Sequence, residues 1–191
     1  MIRVGLTGGI GSGKSTAVAI FKALDIPVFD SDSEAKKFLF EDSVKVELLT
    51  YFGEKIFTEG EVNRKALAAI VFTDKKALTF LNGLIHPLVR QAINDWFLSH
   101  QNYSYTVLEA AVLFEYGFYK QVDKIIVVKA PMNERIRRVM NRDGISQEDV
   151  LYRMNNQLLE EELVKRSDYI LDNAEHDLLL PQILNIHQEL S

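Results

Sequence analysis

Gly8-Gly9-Ile10-Gly11-Ser12-Gly13-Lys14-Ser15 follows a short apolar run at residues 3–7 and leads into Thr16 and the helically spaced Val18, Phe21 and Leu24. The octet fits G-x-x-x-x-G-K-[ST] in full. Glycines let backbone N–H groups turn inward and touch phosphate oxygens without a Cβ in the way. The helix that follows presents its positive end to the same phosphates. Lys14 sets a point charge between β- and γ-phosphates, and the Ser15 hydroxyl is a ligand for Mg²⁺. At average glycine usage of ~7%, the four fixed positions arise by chance in roughly one chain of this length in a hundred. A strand before and a helix after make coincidence rarer still. Gly8, Gly9, Gly11, Ser12, Gly13, Lys14, Ser15 and Thr16 are therefore read as an ATP site.

A bound nucleotide serves either as a switch or as a phosphoryl donor. GTPases usually carry D-x-x-G and N-K-x-D, and neither pattern occurs here. A chain of 191 residues with helical insertions looks like the small kinases of nucleotides and metabolites.

The bulk numbers agree with one compact α/β domain carrying an inserted lobe. The hydrophobic fraction is 47% and the net charge −5. A mildly acidic chain is not built for general nucleic-acid or membrane-surface binding, so a basic site must be a local cluster answering to one ligand. No cysteine is present, which excludes disulfides, thiolate zinc sites and cysteine nucleophiles. The N-terminus lacks the apolar run of a signal peptide, and no stretch approaches the ~20 apolar residues of a membrane span. A cytoplasmic protein is expected, with no obligate protein partner evident.

Outward from the phosphate loop, residues 27–30 read as a second strand, ending in Asp30-Ser31-Asp32. Residues 33–100 form a mostly helical block, with Asn63 and Asp74 as N-caps and His86-Pro87 as a break that starts a new helix. Strands return at 105–110 and 124–128. Pro131 opens a helix that stops at Gly144. Ser146 with Asp149 looks like a capping box for a helix to about Val164. Residues 169–171 make a fifth strand and 177–190 a closing helix. Such alternation predicts a mostly parallel five-stranded sheet flanked by helices.

Ligands of open parallel sheets bind beyond the carboxyl ends of the strands. Asp30-Ser31-Asp32 lies at such an end. Phosphoryl transfer to an alcohol benefits from a carboxylate that orients the hydroxyl and takes its proton. Asp32 is the choice for that role, since Asp30 is nearer the strand. Position alone leaves a second reading open, in which both aspartates only cap the following helix. The third strand runs into Glu109, a candidate for holding Mg²⁺ or its water. Glu115 faces either an acceptor pocket or solvent.

Arg135, Arg137, Arg138 and Arg142 crowd one helix. Arg138 and Arg142 share a face at i, i+4. A planar guanidinium holds two phosphate oxygens at once. The alternative is a solvated charged face with Glu134 and Asp143 as partners; a phosphate loop in the same chain tips the reading toward phosphate. His86, His100, His176 and His187 include no i, i+4 pair and make no metal site.

Together these residues resemble dephospho-CoA kinases. The likeness rests on Leu6-Thr7 with the octet and Thr16, Asp30-Ser31-Asp32, and His86-Pro87-Leu88 with Arg90. It continues through Leu113-Phe114-Glu115, Arg138, Arg142-Asp143, Arg153 with Gln157, and Asp168-Tyr169-Ile170-Leu171-Asp172-Asn173. It covers nearly the whole chain. The resemblance implies a P-loop kinase fold in three parts: a nucleotide core (1–32, 104–135 and 165–191), a helical acceptor lobe (about 33–103) and a lid (about 136–164). It implies ATP with Mg²⁺, dephospho-CoA as acceptor, and phosphorylation of the ribose 3′-hydroxyl. Asp32 would be the base, Lys14 and Arg138 would act on the transferring phosphate, Arg142 would be a lid companion, and Asn173 would lie near adenine. His86, Arg90, Leu113 and Glu115 would border the acceptor. One departure stands out. The family commonly has Asp-x-Pro-Leu-Leu-x-Glu after the third strand, where this chain has Glu109-Ala110-Ala111-Val112-Leu113-Phe114-Glu115. Loss of the proline relaxes that turn, and Glu reaches one methylene further than Asp. A nucleoside-monophosphate or shikimate-type kinase, and a nucleotide-binding regulatory module without acceptor chemistry, remain as alternatives.

Overall fold

The computed structural model describes all residues, Met1–Ser191. It divides into two compact units, Met1–Asp30 with Asn94–Ser191, and Ser31–Ile93.

The first unit begins with β1 (Ile2–Thr7), the phosphate loop and α1 (Lys14–Ala23), followed by β2 (Val28–Asp30). The second unit holds α2 (Ser31–Phe38), α3 (Asp42–Phe52), a short hairpin of β3 (Phe57–Thr58) and β4 (Glu61–Val62), and α4 (Arg64–Val71). The long α5 (Lys75–Ser99) leads back to the first unit. There β5 (Tyr105–Glu109), β6 (Lys124–Lys129), α6 (Met132–Asp143), α7 (Gln147–Asn155), α8 (Glu160–Lys165), β7 (Tyr169–Asp172) and α9 (Leu179–Leu190) complete the chain.

The large sheet has the order β2-β5-β1-β6-β7, and every pair in it is parallel. Alternate residues of its strands form one core with the helices on that face. Val4 and Leu6 of β1, Tyr105 and Val107 of β5, and Ile126 and Val128 of β6 pack with Phe21 of α1 and Ile183 of α9, all fully buried or nearly so. Each such side chain contributes about 1.5–3 kcal/mol relative to exposure. On the opposite face Leu113 is fully buried, and a Cβ on Gly5 would stand 2.9 Å from its Cδ2. The strand ends are trimmed by polar ties. Asp168 accepts from Lys124 Nζ at 2.9 Å and from the Ile125 N–H at 2.8 Å.

The second unit has its own core, including Val44, Leu48, Ile56, Leu67 and Ile85. Tyr51 and Phe80 stack with centroids 3.9 Å apart. The expected caps are present. Asn63 Oδ1 accepts from the Lys65 and Ala66 N–H groups at 3.1 Å, and Asp74 Oδ1 from Lys76 at 2.8 Å.

Three expectations need correction. The first concerns His86-Pro87, which does not break the chain into two helices: α5 runs through Pro87 for 25 residues. Ile85, Val89, Ile93 and Phe97 recur every fourth residue and are all buried, so the packed stripe continues across the proline. Pro87 itself is exposed, and the carbonyl its ring crowds belongs to Gly83, also exposed. Packing outweighs the lost hydrogen bond and the clash. Replacing Pro87 by Ala restores the missing donor and is expected to raise the unfolding free energy by ~1–3 kcal/mol, read from urea midpoints. The second concerns the helix expected over 146–164, which is two: α7 ends with a turn at residues 156–159 before α8. The third is the β3–β4 hairpin inside the block read as helical.

His86, half-buried on α5, has its pKa lowered to about 4 from 6.5, chiefly by burial and secondarily by the charge of Arg90. Folding therefore favours the neutral ring. That stability is fully present above about pH 6.5 and is lost as pH falls toward 4. His86→Gln should accordingly flatten the decline of unfolding free energy between those two values, measured by urea titration at several pH values.

Candidate active site

The phosphate loop joins the end of β1 to the start of α1. Gly13 caps α1 with φ 105 and ψ 20, a conformation that L side chains rarely adopt. A Cβ there would also stand 2.0 Å from Asn173 Nδ2. That amide donates to the Ser12 carbonyl at 2.7 Å, so the loop after β7 seals the loop after β1. Lys14 Nζ donates to the Gly8 carbonyl at 2.8 Å, which holds the ammonium over the loop. Helix α1 leaves its first N–H groups without intrahelical acceptors, and these point into the cradle.

Helix α6 supplies the cations. Pro131 stands at its N-cap and Gly144, at φ 65, ends it. Arg138 Nη2 donates to Glu134 Oε2 at 2.8 Å and to the Asn173 carbonyl at 2.9 Å. Its Nη1 is buried without a hydrogen-bond partner, as are the hydroxyls of Thr7 and Ser12. A buried polar group left so costs about 1–3 kcal/mol. Of the five buried side-chain atoms so left, which also include the Ser31 hydroxyl and Gln121 Oε1, two belong to or abut the phosphate loop and a third, on Arg138, is one residue's reach from it through Asn173. Such a concentration suits an anionic ligand. Arg142 lies elsewhere: its Nε and Nη2 donate to the Asp143 carboxylate at 2.7 and 3.1 Å, and Arg153 joins the same carboxylate at 2.9 Å. Hydrogen bonding from Arg142 holds the Asp143 carboxyl below the usual range.

The carboxylates divide by strand. Asp30 and Glu109 are register partners across β2 and β5, and Glu109 pairs with Leu6 of β1. Side chains directly opposite in a parallel ladder share a face, so these two carboxylates stand side by side at the carboxyl end of the sheet. Asp32 lies two residues further on, in the first turn of α2. It belongs with His86 and Arg90 to the unit Ser31–Ile93. Glu115 is exposed, and its Oε1 accepts from the Leu158 N–H at 3.0 Å.

Two residues that the sequence reading named without giving them a site role grip the phosphate loop. Arg135 Nε donates to the Ile10 carbonyl at 3.0 Å, and Gln157 Oε1 accepts from the Ile10 N–H at 2.8 Å. Gly9 carried the signal. The motif does not require glycine there, and its φ is not positive. A Cβ on Gly9 would stand 2.0 Å from Arg135 Nη2, so its glycine answers to a close neighbour.

The chain is similar to known proteins over nearly its whole length. The sequence profile of the dephospho-CoA kinase family matches residues 2–177. Dephospho-CoA kinase from Porphyromonas gingivalis is 40% identical over 188 residues, covering 97% of this chain and 93% of that protein. The crystal structure of TT1252 from Thermus thermophilus superposes with a TM-score of 0.88 at 37% identity, covering 100% of this chain and 98% of the other. Dephospho-CoA kinase from Campylobacter jejuni superposes with a TM-score of 0.74 at 29% identity, covering 99% and 96%. The chain belongs to the dephospho-CoA kinase family, which catalyses the ATP-dependent phosphorylation of dephospho-CoA in the last step of coenzyme A biosynthesis.

Proposed function

We propose that this chain phosphorylates the ribose 3′-hydroxyl of dephospho-CoA with Asp32 as the orienting base and with Lys14 and Arg138 on the transferring phosphate. The observation that carries the reading is the cradle itself: a glycine loop closed by Asn173, a lysine ammonium over it, and a buried guanidinium nitrogen with no protein partner. ATP sits on Gly8, Gly9, Gly11, Ser12, Gly13, Lys14, Ser15 and Thr16, with Asn173 beside the base and Arg142 as a lid residue. Asp32, His86, Arg90, Leu113 and Glu115 serve the acceptor.

Asp32 accepts a hydrogen bond from the acceptor hydroxyl, turns its oxygen toward the γ-phosphorus, and takes the proton late in the transfer. Lys14 and Arg138 oppose the negative charge spread over the phosphoryl oxygens. Mg²⁺ fits the oxygen donors present: the Ser15 hydroxyl, with Glu109 beside Asp30 reached through water, supplies one or two protein ligands of the kind this cation takes alongside phosphates. A cation held there would supply positive charge against the phosphates.

We assign residues 1–32, 104–135 and 165–191 to the nucleotide core, 33–103 to the acceptor lobe and 136–164 to a lid that keeps water from the donor. We place the protein in the cytoplasm, working on small molecules without nucleic-acid, membrane or obligate protein partners. A net charge of −5 weighs against general nucleic-acid or membrane-surface binding. No helix is long and apolar enough to cross a membrane. An acceptor panel tests the reading. ADP release should require dephospho-CoA and should not follow from AMP, shikimate or water; release with another acceptor and not with dephospho-CoA would reject it.

A further inference from the structure

Four of the six residues from Gly8 to Gly13 are glycine, so the loop that must present rigid donors is built from the residues with most backbone freedom to lose. Besides the Asn173 amide on the Ser12 carbonyl, the loop is held from outside at Ile10, on both of that residue's backbone polar groups. The Ile10 N–H donates to Gln157 Oε1 at 2.8 Å, and the Ile10 carbonyl accepts from Arg135 Nε at 3.0 Å. Neither partner is loose. Arg135 is 11% exposed, and its Nη1 donates to Glu160 Oε2 at 3.1 Å. Its guanidinium lies over Gly9, and a Cβ on Gly11 would meet the Arg135 carbonyl at 2.6 Å. The Gln157 N–H donates to the Met154 carbonyl at 3.0 Å, and the next N–H, of Leu158, is held by Glu115 at 3.0 Å. The grip therefore comes from α6 on one side and from the turn between α7 and α8 on the other.

We propose that Gln157 and Arg135 are positioning residues that clamp Ile10 from both sides and so fix the phosphate loop in its ATP-binding shape. They act through the loop backbone rather than on the phosphates. The Ile10 N–H is committed to Gln157, which leaves the donors nearer α1 to face the triphosphate. Because Gln157 lies between α7 and α8, any movement of that turn is transmitted to the loop through one hydrogen bond. Removing the Gln157 amide frees the loop to sample other shapes, and ATP must then select the competent one. The cost falls on ATP and not on the acceptor.

The proposal deepens the ATP reading of the loop and rests on it. The test uses the whole chain with Gln157→Ala and Arg135→Met, singly and together. It reads ATP Kd by calorimetry without acceptor, KM for ATP and for dephospho-CoA, thermal midpoints, and hydrogen exchange of the Ile10 amide. The expected result for Gln157→Ala is a roughly tenfold weaker ATP Kd and higher ATP KM. Dephospho-CoA KM and thermal midpoint should be unchanged, and Ile10 exchange should be faster. The double variant should lose less than the product of the two single losses, since both act through one residue. Unchanged ATP affinity and unchanged Ile10 exchange overturn the clamp. So does an equal rise in both KM values with a large drop in midpoint, which marks a merely structural role. Wild-type protein that binds no ATP would sink the ATP reading instead, a separate outcome visible in the same titration.

Discussion

Replacing Asp32 by Asn is expected to lower kcat by about 10²–10⁴-fold while the KM for ATP stays within about twofold of wild type. The substitution keeps shape and removes only the charge and the basic oxygen. Asp32 stands in the first turn of α2, where a carboxylate also favours the helix dipole by ~0.3–1 kcal/mol. That is why Asn is the informative choice. Asp32 lies inside α2 rather than at its cap, so a purely structural first-turn role predicts near-normal turnover with only that small loss of stability, and a role as base predicts collapse. Steady-state kinetics with both substrates varied separate the two, and a thermal midpoint near wild type excludes misfolding.

Arg138→Ala should lower kcat/KM by roughly 10²–10³-fold, with most of the loss in kcat. Arg138 Nη2 is already committed to Glu134 and to the Asn173 carbonyl, and that commitment aims the buried Nη1. Arg138→Lys should recover little of the activity. Lysine keeps the charge but has no planar fork with which to hold two protein oxygens and a phosphate together. Recovery by Lys to within a few-fold of wild type would mean that only charge is needed there.

The parts of the fold legible in the sequence are those where local chemistry and tertiary need agree. Glycines and Lys14 announce the loop, and the apolar runs around Val4, Val107 and Val127 announce strands buried on both faces. Asn63, Asp74, Ser146 and Gly144 mark helix ends in place. The misreadings fall where tertiary packing overrules a local rule. Pro87 should end a helix, yet the buried stripe Ile85, Val89, Ile93 and Phe97 carries α5 through it. The hairpin at Phe57–Thr58 and Glu61–Val62 is too short to show alternation. In the candidate site, contiguous motifs point to Lys14, Ser15 and Asn173. The grip of Arg135 and Gln157 on Ile10 joins residues 125 and 147 positions apart, a separation no local pattern encodes. Only the surplus glycine at position 9 hinted at it.

The most direct measurement is the identity of the product formed from ATP and dephospho-CoA. Purified protein with magnesium should yield ADP and a compound with the mass of coenzyme A. Its new phosphomonoester phosphorus should couple to the ribose H3′ proton in NMR. A phosphate on any other oxygen, or ADP formed while dephospho-CoA is recovered unchanged, would contradict the account.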